Sequence, residues 1–137
     1  MTTKNIMMLQ KQDHQLQPKL SRILKEELRY IPQTYGALFD GREKYCALGA
    51  VAKYFGYDVE SDKRDDDALR SSDLIPLTII ERIEDCIPYG RVEDHPRCAC
   101  ESKNYFHCSL TSLLIHLNDH HQMTFQQIGN WLESKGL

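Results

Sequence analysis

"SLTSLLIHLNDHHQMTFQQIGNWLESKG", residues 109–136, predicts two consecutive helices joined by a short turn. Its first half repeats leucine at the spacing of one helix face, at Leu110, Leu113, Leu114 and Leu117. Its second half carries a helix-start signal, since Thr124 and Gln127 have the spacing of a capping box, and Gly136 marks the end. This pair of helices leads us to expect a mainly α fold.

Three further helices are expected upstream, over residues 17–31, 46–56 and 71–87. Pro32 would end the first, and small residues around Gly49 in the second predict close approach of a neighbour. In the third, Ser72 or Asp73 would be the cap, Pro76 would lie in the first turn, and the apolar side chains would point inward, namely Leu77, Ile80, Ile83 and Ile87. The run "LTII" also fits a strand, which leaves an α+β fold as the alternative.

The 137 residues contain no repeat or linker, so we expect one domain of about five helices over residues 1–137. Residues 1–13 are expected to fray. Residues 57–73 read as an acidic, solvated loop, because residues 57–94 hold five Lys/Arg against twelve Asp/Glu.

Neither a secretion signal nor an apolar run long enough for a membrane span is evident. We therefore expect a cytoplasmic protein without a membrane association. Disulfides are not expected in that reducing compartment, and the odd count of five cysteines leaves one unpaired in any case.

Four of the five cysteines fall in the connection "DCIPYGRVEDHPRCACESKNYFHC", residues 85–108. Thiolate and imidazole groups are the ligands of structural zinc, and a long connection without secondary structure needs something to hold it. Cys98, Cys100 and Cys108 form the predicted core ligand set, with His95 as the preferred fourth ligand and Cys86 as the competing one. Reduced, unligated thiols and a disulfide or redox pair remain open as alternatives.

The segment "HLNDHH" offers a second histidine-rich feature, in which His116 and His120 lie four positions apart on one helix face. Such a pair can bind metal, but we favour a polar face at a helix end. Asn118 and Asp119 are expected to cap the turn between the last two helices.

An alternative interpretation is that the protein is an enzyme with Cys46 as its nucleophile. Cys46 opens a helix, where the dipole can lower a thiol pKa and create a nucleophile. His116 or His120 would be the base of a hydrolase or transferase, and Asn118 or Asp119 the orienting group, with His116 and Asp119 as the preferred pair. The small, apolar residues after Cys46 favour a packing cysteine instead, so the sequence favours a binding module over an enzyme.

Nucleic-acid binding is a third alternative, since the last two predicted helices and the short turn between them have the spacing of a helix-turn-helix. The final helix offers only Lys135 as a basic residue, and the basic residues of the first helix are diluted by Glu26 and Glu27. We therefore do not expect a nucleic-acid partner.

Two segments, "YCALGAVAKYFGYD" and "LLIHLNDHHQMTFQQIGNWLES", carry a resemblance. They resemble a loose group of small uncharacterised phage and prokaryotic proteins with a Cys-x-Leu-Gly helix and a C-terminal Leu-Asn-Asp…Phe-x-x-Ile-x-x-Trp pattern. The matching positions are Cys46, Leu48, Gly49, Leu117, Asn118, Asp119, Phe125, Ile128 and Trp131. This chain departs from the group in its Cys/His insert and in Ile-Gly where Ile-Ala is usual. The resemblance implies a phage or mobile-element origin and no particular reaction.

Together these features predict a small, zinc-stapled helical module that binds a protein partner or regulates one.

Overall fold

The computed structural model describes residues 18–62, 69, 72–86, 98, 100 and 109–137, and these residues are mainly helical. Within these residues six helices follow one another: α1, an α-helical turn Leu20–Arg22 continued by a π-helical turn Ile23–Glu27; α2, Ala47–Tyr54; α3, Val59–Asp62; α4, Leu77–Glu84; α5, an α-helical part Leu110–Ile115 continued by a π-helical turn His116–His120; and α6, Phe125–Ser134. A 3₁₀ turn, Ser72–Leu74, precedes α4.

The prediction of a mainly α domain is confirmed. β-type pairing within the described ranges consists of isolated bridges among residues 33, 39, 45 and 69, with no strand. The α+β alternative is therefore wrong, because the run "LTII" lies inside α4.

One hydrophobic core connects α1, α2, α5 and α6. The predicted leucine face of α5 is buried, and Leu110, Leu113, Leu114 and Leu117 are each at most 1% exposed. Helix α6 contributes Phe125, Ile128 and Leu132 to the same core. Burial of these side chains accounts for the packing of the two C-terminal helices against α1 and α2.

Close packing around Gly49 follows the prediction, and its partner is a main-chain segment. A Cβ atom at position 49 would overlap the carbonyl of Leu38, in the connection between α1 and α2. Helix α2 can lie this close to the connection only because position 49 has no side chain.

Local capping signals place the ends of α5 and α6. Thr124 and Gln127 form the complete capping box predicted for α6, and Gly136 ends the segment with a positive φ of 83°. At the start of α5, the Ser109 hydroxyl accepts a hydrogen bond from the N–H of Ser112. The Glu84 carboxylate accepts two more, from the N–H groups of Leu110 and Thr111, and so joins α4 to α5.

Two predicted helix boundaries are wrong. Helix α1 ends well before Pro32, because the Leu28 N–H bonds to the Ile23 carbonyl in a π turn and the helix stops there. Helix α4 takes Pro76 as its N-cap, so neither Ser72 nor Asp73 caps it. Leu77, which was expected to point inward, is 70% exposed, whereas Ile83 is buried as expected.

The segment expected to be an acidic loop contains regular structure where it is described. Asp58 precedes the helical turn α3 and accepts hydrogen bonds from the N–H and the hydroxyl of Ser61. Leu69 is buried and bonds to the main chain of Phe39. Residues 1–13, expected to fray, lie outside the described residues.

Candidate metal centre

Four potential metal ligands converge at the C-terminal end of α5. They are the sulfur atoms of Cys98 and Cys100 and the ring nitrogens of His116 and His121, all within 4.8 Å of one another. Cys98 Sγ lies 3.2 Å from His121 Nε2, and Cys100 Sγ lies 3.3 Å from His116 Nε2. The two histidine Nε2 atoms are 3.1 Å apart. These residues are called the Cys/His cluster below.

The π turn at the end of α5 brings the two histidines together. In an α-helix of 3.6 residues per turn, side chains five positions apart point about 140° away from each other. Here the His121 N–H bonds to the His116 carbonyl at 3.3 Å, which is an i to i+5 bond. The wider turn places residues 116 and 121 on the same side of the helix, and π turns of this kind are frequent at functional sites.

The spacing of the donor atoms suits a tetrahedral ion. With bonds of 2.0–2.3 Å to nitrogen and sulfur, tetrahedral ligand atoms lie roughly 3.3 to 3.8 Å apart. The distances of 3.1 and 3.2 Å are slightly shorter than this range and the distance of 3.3 Å lies at its lower limit, whereas the 4.8 Å limit on the whole set exceeds it. Small side-chain movements would therefore accommodate an ion. Two thiols with two imidazoles form a complete ligand set, which is the composition of structural rather than catalytic zinc sites.

The cluster is anchored in the protein on one side and open on the other. His116 is 1% exposed, the two cysteines are half-buried, and His121 is exposed. Burial is the main reason that the pKa of Cys98 is raised above its usual value; the Cys100 thiol adds to this effect and the Cys100 N–H opposes it. A bound cation would reverse this shift, because a coordinating thiol is held as the thiolate.

The predicted ligands are only partly found in this cluster. Cys98 and Cys100 belong to it, whereas the Cys86 sulfur lies near the Arg82 carbonyl, at 3.7 Å, outside the group. His95 and Cys108 lie outside the described residues, and their role as ligands stays a prediction. The four described cysteines are free thiols.

The expectation of a polar histidine face at His116 and His120 is wrong for His116, which is buried. The His120 ring stacks on the His116 ring at 4.8 Å, but His120 is not among the convergent donors. Sequence reasoning missed His121 because it assumed α-helical spacing. The spacing His-x4-His does fall within the range of known zinc motifs and could have pointed to it.

The expectation that Asn118 and Asp119 cap the turn between the last two helices is also wrong. The Asn118 oxygen accepts hydrogen bonds from the Ala47 N–H at 3.0 Å and from the Gln33 side chain at 2.7 Å. Asp119 accepts one from the Gly36 N–H at 2.9 Å. Both residues therefore hold the connection between α1 and α2 against the end of α5.

The turn between α5 and α6 is held by Gln33, a residue that sequence reasoning did not single out. Its side chain donates to the Met123 carbonyl at 2.7 Å and accepts from the Phe125 N–H at 3.2 Å. Nothing in the local sequence around Gln33 signals a contact with residues about 90 positions away.

Cys46 has the environment of a packing residue. It is 2% exposed, and burial raises the pKa of its thiol to about 11. The sulfur accepts a hydrogen bond from the Gly49 N–H at 3.3 Å and so caps α2. An activated nucleophile needs a lowered pKa and access to substrate, and Cys46 has neither.

Two basic residues of α1 are engaged in ion pairs, Arg22 with Glu26 at 2.9 Å and Lys25 with Glu133 at 2.6 Å. These pairs reduce the positive charge available to a phosphate backbone. Among the described residues, no helix is both long enough and apolar enough to span a bilayer.

Comparison of the chain with protein-family profiles, with curated proteins and with solved structures yields no significant match.

Proposed function

We propose that this protein is a small helical module stapled by one structural zinc ion at the Cys/His cluster. The observation that carries the proposal is the convergence of two thiols and two imidazoles within 4.8 Å. Soft thiolate ligands with imidazole in a tetrahedral set favour zinc among the common biological metals.

The proposed ion would join the cysteine-rich connection to the end of α5. Cys98 and Cys100 belong to the connection between α4 and α5, and both histidines belong to the C-terminal end of α5. Cross-linking by a metal lowers the free energy of the folded state relative to the unfolded chain, in which no preformed site exists. Because two of the proposed ligands are cysteine thiolates, which must stay reduced to bind the ion, this role also supports a reducing, cytoplasmic location.

For the biological role we propose binding to a protein partner, in a regulatory or scaffolding capacity. The buried, high-pKa Cys46 supports this over a hydrolase or transferase. The resemblance to phage and prokaryotic proteins supports a mobile-element origin. If Cys46 were instead a nucleophile, iodoacetamide would label it in the folded protein at neutral pH. A packing cysteine is labelled only after denaturation.

Metal content of the untagged protein, measured by native mass spectrometry and elemental analysis, tests the zinc proposal. We expect one zinc ion per chain, lost on denaturation. The variants Cys98→Ser, Cys100→Ser, His116→Asn and His121→Asn should each bind zinc much more weakly. His120→Asn and Cys86→Ser are matched controls that should retain it.

Two further variants test whether the four-residue set is complete. Cys108→Ser and His95→Asn should keep their zinc if the Cys/His cluster supplies every ligand. Loss of zinc in either variant would show that the substituted residue is a ligand in place of one of the four. A metal-free protein that takes up no Zn²⁺ under reducing conditions would overturn the proposal.

A further inference from the structure

The π turn His116–His120 faces two different parts of the protein at once. The side chains of His116 and of His121, the residue after the turn, belong to the Cys/His cluster. Between them in sequence, Asn118 and Asp119 bind residues of the connection between α1 and α2 and the first N–H of α2. Any change in the helical register of this turn therefore alters both sets of contacts.

Gln33 secures the chain on both sides of His121. Its side-chain nitrogen donates to Asn118 Oδ1 and to the Met123 carbonyl, each at 2.7 Å, and its oxygen accepts from the Phe125 N–H at 3.2 Å. One half-buried carboxamide thus determines where the chain passes just before and just after the exposed ligand.

The backbone in this segment is not in its intrinsically preferred form. A π turn is rare, and Gln122, two residues beyond its last residue, has a positive φ of 50°. Such geometry persists where surrounding contacts over-determine it. Gln33 and Asn118 provide such contacts between the π turn and the connection between α1 and α2.

We infer that Gln33 and Asn118 are positioning residues for the metal ligands, so that metal binding at the Cys/His cluster and ordering of the connection around Gly36 stabilise each other. The inference rests on the proposed metal-binding function. If the turn returned to α-helical hydrogen bonding, His121 would rotate by about 100° relative to His116 and its Nε2 atom would leave the cluster. The contacts that prevent this rotation involve no metal ligand.

Because the coupling is reciprocal, the inference can be tested by changing either the connection or the metal. If the connection supports the metal site, the metal must support the connection by the same free energy. The reporters are the Gly36 N–H, bound to Asp119, and the Ala47 N–H, bound to Asn118.

The first experiment compares Zn²⁺ affinity by chelator competition in full-length variants. Gln33→Ala should weaken Zn²⁺ binding by about 10- to 100-fold, the usual effect of removing a residue that orients metal ligands. The matched control is Glu84→Ala, which removes the carboxylate bound to Leu110 and Thr111 at the opposite end of α5. Its affinity should stay within about twofold of the wild type, as for independent sites.

The second experiment needs no variant, so it holds even if Gln33→Ala fails to fold. Amide hydrogen exchange of the wild type is followed by NMR with Zn²⁺ and after chelation. We expect faster exchange at Gly36 and Ala47 without metal. Exchange in α6 near Leu132 is the control for global unfolding and should change less.

The outcomes separate the two proposals. A wild type that binds no Zn²⁺ overturns the proposed function and this inference with it. Normal Zn²⁺ binding by Gln33→Ala, or exchange at Gly36 and Ala47 that is indifferent to metal, overturns the inference alone and leaves the metal site standing. An equal loss of affinity in Glu84→Ala would show general destabilisation of α5 and would also count against it.

Discussion

Asn118 Oδ1 accepts a hydrogen bond from the Ala47 N–H at 3.0 Å, across 71 positions of sequence. Ala47 is the first residue of α2, and its N–H has no acceptor within the helix. A buried side chain from α5 thus satisfies a donor that is usually satisfied by a local cap. The start of α2 depends on the correct placement of the end of α5.

Replacing Asn118 by alanine is expected to destabilise the protein by roughly 2 to 4 kcal/mol, because several buried polar groups lose a partner at once. Asn118 is fully buried and bonds to Gln33, Thr34 and Ala47. Urea unfolding measures the loss. Asn130→Ala, at an exposed position of α6, is the control and should change stability by no more than about 0.5 kcal/mol. A similar small effect for Asn118→Ala would contradict its role.

Gly49→Ala is expected to destabilise the protein by about 3 kcal/mol or more, because the added methyl overlaps the main-chain carbonyl of Leu38. Gly129→Ala provides the comparison. There the added methyl meets chiefly the flexible side chain of Lys25, with the Ser21 carbonyl at 2.9 Å. Thermal unfolding should rank Gly49→Ala as clearly the more destabilised of the two. The reverse order would show that the Leu38 segment can move away easily.

Cys46 should make the stability of the protein fall at alkaline pH. Burial raises the thiol pKa from 9.0 to about 11, so between these values the unfolded chain releases a proton that the folded chain keeps. The stabilisation is complete below pH 9 and is lost by about 1.4 kcal/mol per pH unit up to about 11. Urea unfolding at pH 8 and pH 10 measures it. Cys46→Ser keeps a cap but does not titrate, so its stability should fall less steeply. Equal slopes would argue against a buried neutral thiol.

Gln122 follows the π turn with a positive φ of 50°, a conformation that glycine adopts without cost. Gln122→Gly is therefore expected to stabilise the protein by up to about 1 kcal/mol, and Gln122→Ile to destabilise it by about 1 to 2 kcal/mol. Gln126→Gly, at an exposed position in the first turn of α6, is the control and should destabilise by up to about 1 kcal/mol. Calorimetric melting temperatures test the three signs together. Destabilisation by Gln122→Gly would indicate that its side chain matters more than its backbone.

Several features of this protein could be predicted from sequence because they depend on neighbours along the chain. The capping box of Thr124 and Gln127 joins residues three apart, and the leucine face of α5 repeats with the period of the helix. The mainly α class follows from such local signals. The close spacing of Cys98 and Cys100 likewise predicted them as metal ligands.

The tertiary structure determined which histidines lie next to these cysteines. A prediction that assumes 3.6 residues per turn pairs His116 with His120, whereas the π turn pairs His116 with His121. The turn is accompanied by a positive φ at Gln122 and is held by Asn118 and by Gln33, which is about 90 positions from the turn it binds. The sequence by itself determined most of the segments that become helices and which residue types can bind metal. Only the folded chain determined which of them meet, because the helical register depends on hydrogen bonds between residues that are distant in sequence.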